Sequence, residues 1–172
     1  MRIVVLGAGI VGASAAYHLA LKGAEVIVVD KGHQGQATAA GAGIVCPWLS
    51  RVEDPDWYTM AKASAIYYPT LVSQLEEEGE AHLGYDLVGG LSISKNPEEL
   101  KRIQERVLQR KQSTPEVGEV SYLEPGEPQK LFPPLDPSYG AIHVTGAARV
   151  DGRLLRQALL NAPQKHGAVY IQ

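Results

Sequence analysis

One cysteine, Cys46, stands among 172 residues. No internal disulfide framework can be built from it, and such usage suits a reducing compartment. No stretch of the chain reaches the ~18 unbroken apolar residues that a membrane-spanning helix needs. The first apolar run, Ile3–Leu6, is too short for the core of a secretory signal, and Gly7 follows it rather than a cleavage site. These absences are read as a cytoplasmic protein without membrane association. Positive charge is not in excess either. The formal net charge is -3, whereas a nucleic-acid partner asks for a basic face. Basic residues do gather between Lys101 and Lys111, in the manner of a solvated helix face. The histidines (His18, His33, His82, His143 and His166) are scattered without ligand spacing, so no metal site is expected. No Ser/His/Asp or Cys/His set stands out, and there is no internal repeat or low-complexity tract. What remains is 45% hydrophobic and 20% charged residues, the balance of a globular chain able to bury a core. The length fits one medium domain or a part of a larger protein.

What is present begins at the first residues. Arg2–Leu6 is a continuous β-branched and apolar run, as expected of a strand buried on both faces. It ends in Gly7-Ala8-Gly9-Ile10-Val11-Gly12 and passes into the small-residue helix Ala13–Leu21. Gly23 closes that helix, Val26–Val29 makes a second buried strand, and Asp30 stands at its end. Gly7 permits the tight turn, Gly9 lets a pyrophosphate approach the backbone, and Gly12 lets helix and strand pack closely. The helix N-terminus offers free N–H groups and positive dipole to phosphate, and Asp30 can accept hydrogen bonds from ribose hydroxyls. A lone GxGxxG is weak evidence, but here strand, turn, helix, glycine, strand and acid follow in order. Asp30 favours an unphosphorylated ribose, since no arginine stands beside it in sequence; Lys31 is a slight counter-signal. These residues say dinucleotide without saying which. An NAD-dependent enzyme of ordinary Rossmann type and a non-catalytic nucleotide-binding module both stay open.

The next segment, Gly35-Gln36-Ala37-Thr38-Ala39-Ala40-Gly41-Ala42-Gly43-Ile44-Val45, is almost free of charge and bulk. It reads either as a tight loop with a short helix capped by Thr38, or as backbone laid against a cofactor where side chains would obstruct. Together, the fingerprint from Ile3 to Asp30 and this G-x-x-T-x-A-x-A-G-I-V loop resemble the start of the D-amino-acid oxidase, glycine oxidase and sarcosine oxidase family of FAD enzymes. The resemblance implies FAD as cofactor. It puts Thr38 and Ala39 near the pyrophosphate or ribityl chain, and Gly43 and Ile44 near the isoalloxazine. The implied cofactor-binding set is Gly7, Ala8, Gly9, Ile10, Val11, Gly12, Asp30, Lys31, Thr38, Ala39, Gly43 and Ile44. The family usually carries Glu where this chain has Asp30. The resemblance extends more loosely beyond, where Gly146–Leu155, GAARVDGRLL, is similar to the return into the FAD domain.

The implied fold is α/β: a Rossmann-like FAD-binding βαβ domain with part of an α+β substrate domain inserted. The FAD-binding domain takes residues 1–50 and 140–172 and is incomplete; residues 51–139 form a helical region and a partial substrate domain. The implied activity is hydride transfer to flavin from the CH–NH bond of a small amino acid or amine (glycine, a D-amino acid or an N-methyl amino acid). Oxidase and dehydrogenase are both open, and a homo-oligomer is compatible with the sequence. Family members run well beyond this length, and their later half supplies the arginine that clamps the substrate carboxylate. Arg51 and Arg149 match no such motif, and no catalytic residue is assigned. The chain is therefore expected to be the N-terminal part of such an enzyme, weak or inactive alone.

Between these landmarks, Cys46 reads as a small buried thiol, since the cysteine that tethers flavin in some relatives lies far downstream. Trp48 reads as a packed aromatic or a residue on the substrate side of the flavin. A helix starts at Asp54-Pro55-Asp56 and runs to Glu76-Glu77-Glu78-Gly79, with a kink expected near Tyr68 from Pro69. Tyr67 and Tyr68 read as core rather than cavity lining. Tyr85–Ser94 reads as a strand pair. Asn96-Pro97-Glu98-Glu99 starts a helix with Leu100, Ile103 and Val107 inward and Lys101, Arg102, Arg106, Arg110 and Lys111 toward water. Tyr139–Val144 should be a strand, Asp151 should cap a helix ended by Pro163, and Ala168–Ile171 should rejoin the nucleotide sheet.

Overall fold

A computed structural model of the chain describes residues 1–33 and 35–172. The strands and helices run β1 (Arg2–Leu6), α1 (Ile10–Leu21), β2 (Glu25–Val29), α2 (Ala37–Ala40), β3 (Ile44–Val45), α3 (Pro55–Glu77), β4 (Asp86–Leu87), β5 (Gly90–Ser94), α4 (Pro97–Lys111), β6 (Val120–Leu123), β7 (Gly140–Val144), β8 (Ala148–Arg149), α5 (Gly152–Asn161) and β9 (Val169–Ile171). They fall into two compact units. One holds Met1–Gly43, Tyr68–Tyr85 and Val150–Gln172; the other holds Ile44–Tyr67 and Asp86–Arg149.

The first unit is built on a parallel sheet in the order β1-β2-β9, a Rossmann-like arrangement. Arg2 to Leu6 pair with Glu25 to Val29, and Ile27 to Val29 pair with Val169 to Ile171. The return strand thus joins the nucleotide sheet, as its sequence suggested. Helix α1 packs with a face of small residues: Ala13, Ala16 and Ala20 are buried beside Tyr17, so its backbone can lie close to the sheet. Helix α5 packs against α1 and buries Leu155, Ala158 and Leu159 at the spacing of one helical face. Asp151 caps it, the carboxylate accepting from the Arg153 and Leu154 N–H groups at 2.8 and 3.3 Å. Strand β2 alternates, with Val26 and Val28 buried. Strand β1 departs from the expectation of burial on both faces: Val4 is 55% and Leu6 82% exposed. The helices cover one face of this strand, and no described strand pairs with its outer edge.

Helix α3 runs unbroken through Pro69. Its last turns carry the buried Leu71 and Leu75 into the first unit, where Tyr68 stacks on Tyr85 with ring centroids 5.8 Å apart.

The second unit holds an antiparallel sheet ordered β5-β7-β6 and a small ribbon ordered β3-β8-β4. Helix α4 lies on the larger sheet. Asn96 caps it by accepting from Glu98 N–H at 3.0 Å, Pro97 fits the first turn, and Leu100, Ile103 and Val107 point inward. Arg106 and Arg110 do not face water as expected. The Arg110 guanidinium lies 4.3 Å from the Tyr58 ring centre. Its Nη1 donates to the carbonyls of Pro47, Trp48 and Ser50 at 3.2, 2.9 and 2.8 Å, and its Nη2 donates to that of Val52 at 3.0 Å. Arg106 keeps Nε and Nη2 buried without an acceptor. Both arginines stand one helical step from apolar inward residues, and position on the helix outweighed charge. Trp48 is a packed aromatic, 2% exposed, its indole N–H donating to Gly146 at 3.0 Å. Burial pushes the Cys46 thiol up to about 11.

Candidate cofactor site

The site begins where β1 ends. Gly7 turns the chain with φ +99°, a conformation that side-chain-bearing residues rarely adopt, and its N–H donates to Val29 O at 2.8 Å. A Cβ at Gly12 would stand 1.9 Å from the Gly7 carbonyl oxygen and 3.3 Å from Val5 Cγ1. That position therefore admits only hydrogen. At Gly9 the circumstances are opposite. A Cβ there would meet nothing nearer than Thr38 Oγ1 at 3.7 Å, so the space above this peptide is open. Gly9 precedes α1 in extended conformation with no side-chain cap and no acidic residue in the first turn. Ile10 N–H is taken by the Thr38 hydroxyl, which leaves the Val11 and Gly12 N–H groups of the first turn to face a ligand at the positive end of the helix dipole.

Asp30 faces this turn from the end of β2. Its Oδ2 accepts from Ala8 N–H and its Oδ1 from Gly32 N–H, each at 2.7 Å. These backbone donors, Ala8 foremost, hold the carboxyl below its ordinary value, helped by the charges of Arg156 and His33. Each oxygen keeps further acceptor capacity, enough for a pair of ribose hydroxyls. Lys31 is exposed next to it. Val11 projects outward, 81% exposed, and Ala8 is fully buried.

The loop after Asp30 closes on the same turn. Thr38 does not cap α2; that place belongs to Gln36. Its hydroxyl accepts instead from Ile10 N–H at 3.0 Å, tying the loop to the first turn of α1. Ala39 lines a cavity of about 470 Å³ together with His33, Gln36, Arg156, Tyr170 and Gln172. Gly43 has φ +69°, and a Cβ there would stand 2.0 Å from Val150 O; its own carbonyl accepts from Val150 N–H at 2.8 Å. The glycine is required by the backbone alongside it, whatever else approaches. Ile44 belongs to the second unit, paired with Arg149 in register and 76% exposed.

The structure thus brings Gly7, Ala8, Gly9, Ile10, Gly12, Asp30 and Thr38 together. It adds a residue that sequence reasoning missed. Arg156, on α5, donates from Nε to Ala8 O, 148 positions away in sequence, and its charge acts on Asp30. The sequence argument that no arginine stands beside Asp30 holds only along the chain, and no local motif marks Arg156. The two arginines without a motif are engaged elsewhere: Arg51 pairs with Glu99 at 2.9 Å, and Arg149 lies 3.8 Å from Asp86. Among the described residues no cluster of three or more His, Cys, Asp or Glu side chains could hold a metal ion, and no helix is long and apolar enough to cross a membrane.

A glycine turn open at Gly9, a helix N-terminus with no acidic residue in its first turn and an ionised acid at the end of the next strand fit a dinucleotide and define a nucleotide-binding α/β protein. Comparison with known proteins narrows the class. The chain belongs to the FAD dependent oxidoreductase (DAO) family, which matches residues 2–172. Its cofactor is FAD, so the NAD alternative falls. Its sequence is 48% identical over 169 residues to the uncharacterized oxidoreductase YurR of Bacillus subtilis (strain 168), covering 98% of this chain and 45% of that protein. The crystal structure of iminodiacetate oxidase from Chelativorans sp. BNC1 superposes with a TM-score of 0.94 at 46% identity, covering 99% of this chain and 46% of that one. Glycine oxidase from Bacillus cereus ATCC 14579 superposes with a TM-score of 0.80 at 25% identity, again covering 99% of this chain and 46% of that one. The chain spans less than half the length of these relatives.

Proposed function

We propose that this chain is the N-terminal, FAD-holding part of an enzyme that oxidises the CH–NH bond of a small carboxylated amine. The observation that carries this reading is the joint geometry of Gly9, the α1 N-terminus and Asp30, in a chain 46% identical to an iminodiacetate oxidase. The proposed cofactor contacts are Gly7 to Gly12, Asp30, Lys31, Thr38, Ala39, Gly43 and Ile44. FAD supplies the hydride acceptor when bound. The chain's own part is to hold it: the α1 N-terminus faces the pyrophosphate, Asp30 accepts from the ribose, and Thr38 fixes the loop over the turn. Among glycine, D-amino acids and N-methyl amino acids, the likeness to iminodiacetate oxidase favours a secondary amine.

The test has two arms. Titrated with FAD, the purified chain should retain the flavin spectrum through gel filtration; a colourless chain with no affinity for FAD would count against the reading. Co-expressed with a polypeptide covering the remaining half of the iminodiacetate oxidase, it should oxidise secondary amino acids such as iminodiacetate and sarcosine faster than glycine or D-alanine. The chain by itself should show negligible amine-dependent turnover.

A further inference from the structure

Arg156 is half-buried on α5, and it reaches the glycine turn without being part of any nucleotide fingerprint. Its Nε–H is committed to Ala8 O. A guanidinium carries five N–H donors and no acceptor, and the remaining four meet no acceptor among the described residues. Arg156 lines the cavity of about 470 Å³, whose other lining residues include His33 and Gln36 of the loop and Tyr170 and Gln172 around β9. Beside them stands the ionised Asp30 carboxylate, itself held by the Ala8 and Gly32 N–H groups at 2.7 Å.

This arrangement poses an electrostatic problem that Arg156 answers. A diphosphate brought to the α1 N-terminus carries negative charge toward a carboxylate already ionised at neutral pH. Like charges in a partly desolvated site repel by more than they would in water. A fixed guanidinium next to Asp30 offsets that repulsion, and its free Nη groups match phosphate oxygens as charge-assisted donors. Ribose hydroxyls are served by Asp30, which leaves the donor-only guanidinium to an anionic group. The bond from Nε to Ala8 O orients the side chain before any ligand arrives, so little rotamer freedom is lost on binding.

We infer that Arg156 is a cofactor-binding residue that contacts the adenosine-side phosphate of the dinucleotide and neutralises Asp30 as the diphosphate docks. The inference rests on the FAD reading above and adds to it a residue from outside the fingerprint.

The test compares FAD, ADP and adenosine binding to the full chain, wild type against R156Q and R156K, by calorimetry for the tight ligands and ligand-observed NMR for adenosine. Losing charge-assisted bonds to phosphate should weaken ADP and FAD about tenfold or more in R156Q. Adenosine affinity should stay within about twofold, so the preference for ADP over adenosine collapses. The salt dependence of ADP binding should flatten, and R156K should restore part of both. Equal weakening of adenosine and ADP would overturn the assignment and leave Arg156 a strut of the Ala8 turn; unchanged ADP affinity in R156Q would overturn it too. A wild-type chain that binds neither FAD nor ADP would overturn the cofactor reading itself, and the role of Arg156 with it.

Discussion

The glycines of the turn separate two requirements that the fingerprint merges. Gly12 is demanded by the protein, because a Cβ would stand 1.9 Å from Gly7 O. Gly9 is not demanded by the protein, because its surroundings are open to 3.7 Å and its extended backbone suits valine; on the proposed FAD reading the pyrophosphate needs that space. Gly12→Ala is therefore expected to cost about 1–3 kcal/mol or more through overpacking, seen as a lowered Tm without any cofactor. Gly9→Val should leave the Tm of the cofactor-free chain within a degree or so and abolish FAD retention. Asp30 adds a dependence on pH. Its folded value lies below the ordinary one because Ala8 and Gly32 donate to the charged form. Its contribution is therefore complete above the ordinary aspartate value of about 4 and is lost as pH falls through the lower folded value. The Tm difference between wild type and Asp30→Asn should be constant near neutrality and shrink in acid, as thermal melts from pH 7 to pH 3 would reveal. Cys46, with its thiol up to about 11, stays protonated at pH 8. It should react with a thiol-disulfide reagent far more slowly in the folded chain than in denaturant.

Helix α4 shows how two like residues one turn apart on one element can have opposite effects. Arg110 satisfies four carbonyls of the segment after Cys46 and stacks on Tyr58. Removing it leaves those groups without their donor, so Arg110→Met should lower the Tm by several degrees. Arg106 has buried Nε and Nη2 with no acceptor, a desolvation cost without a return. Arg106→Met should be neutral or stabilising in the same melt. The apolar face of this helix was legible from Leu100, Ile103 and Val107 at helical spacing. The fate of its arginines was not, because composition says that arginine prefers water while the spacing from Ile103 and Val107 turned both inward. Thr38 teaches the same lesson in a loop. Its residue type suited a helix cap, but the Ile10 N–H lay 3.0 Å away and took the hydroxyl.

At the scale of the whole molecule, one edge of the parallel sheet is open among the described residues. β1 lies outermost among the described strands, and Val4 and Leu6 leave 55% and 82% of their surface in water. The relatives are more than twice as long as this chain, which spans 45–46% of them. Apolar surface of this kind binds dyes and promotes association. Leu6→Lys should keep the Tm of the isolated chain nearly unchanged while reducing its binding of an apolar fluorescent dye, and it should block co-assembly with the remaining half of a relative.

The order of strand, turn, helix, strand and acid, the caps at Asn96 and Asp151 and the return strand into the sheet were determined by the sequence alone. Apart from the return strand, whose partners in β2 are far away in sequence and whose place came from the family resemblance, each depends on neighbours along the chain: on periodicity, on glycine's freedom at Gly7 and on capping chemistry. Only the tertiary structure decided that Gly12 serves packing while the space above Gly9 stays open, that Thr38 holds Ile10, and that Arg156 reaches the Ala8 turn beside Asp30. Those are relations between residues far apart in sequence, where burial and a nearby partner outweigh what a side chain prefers in isolation.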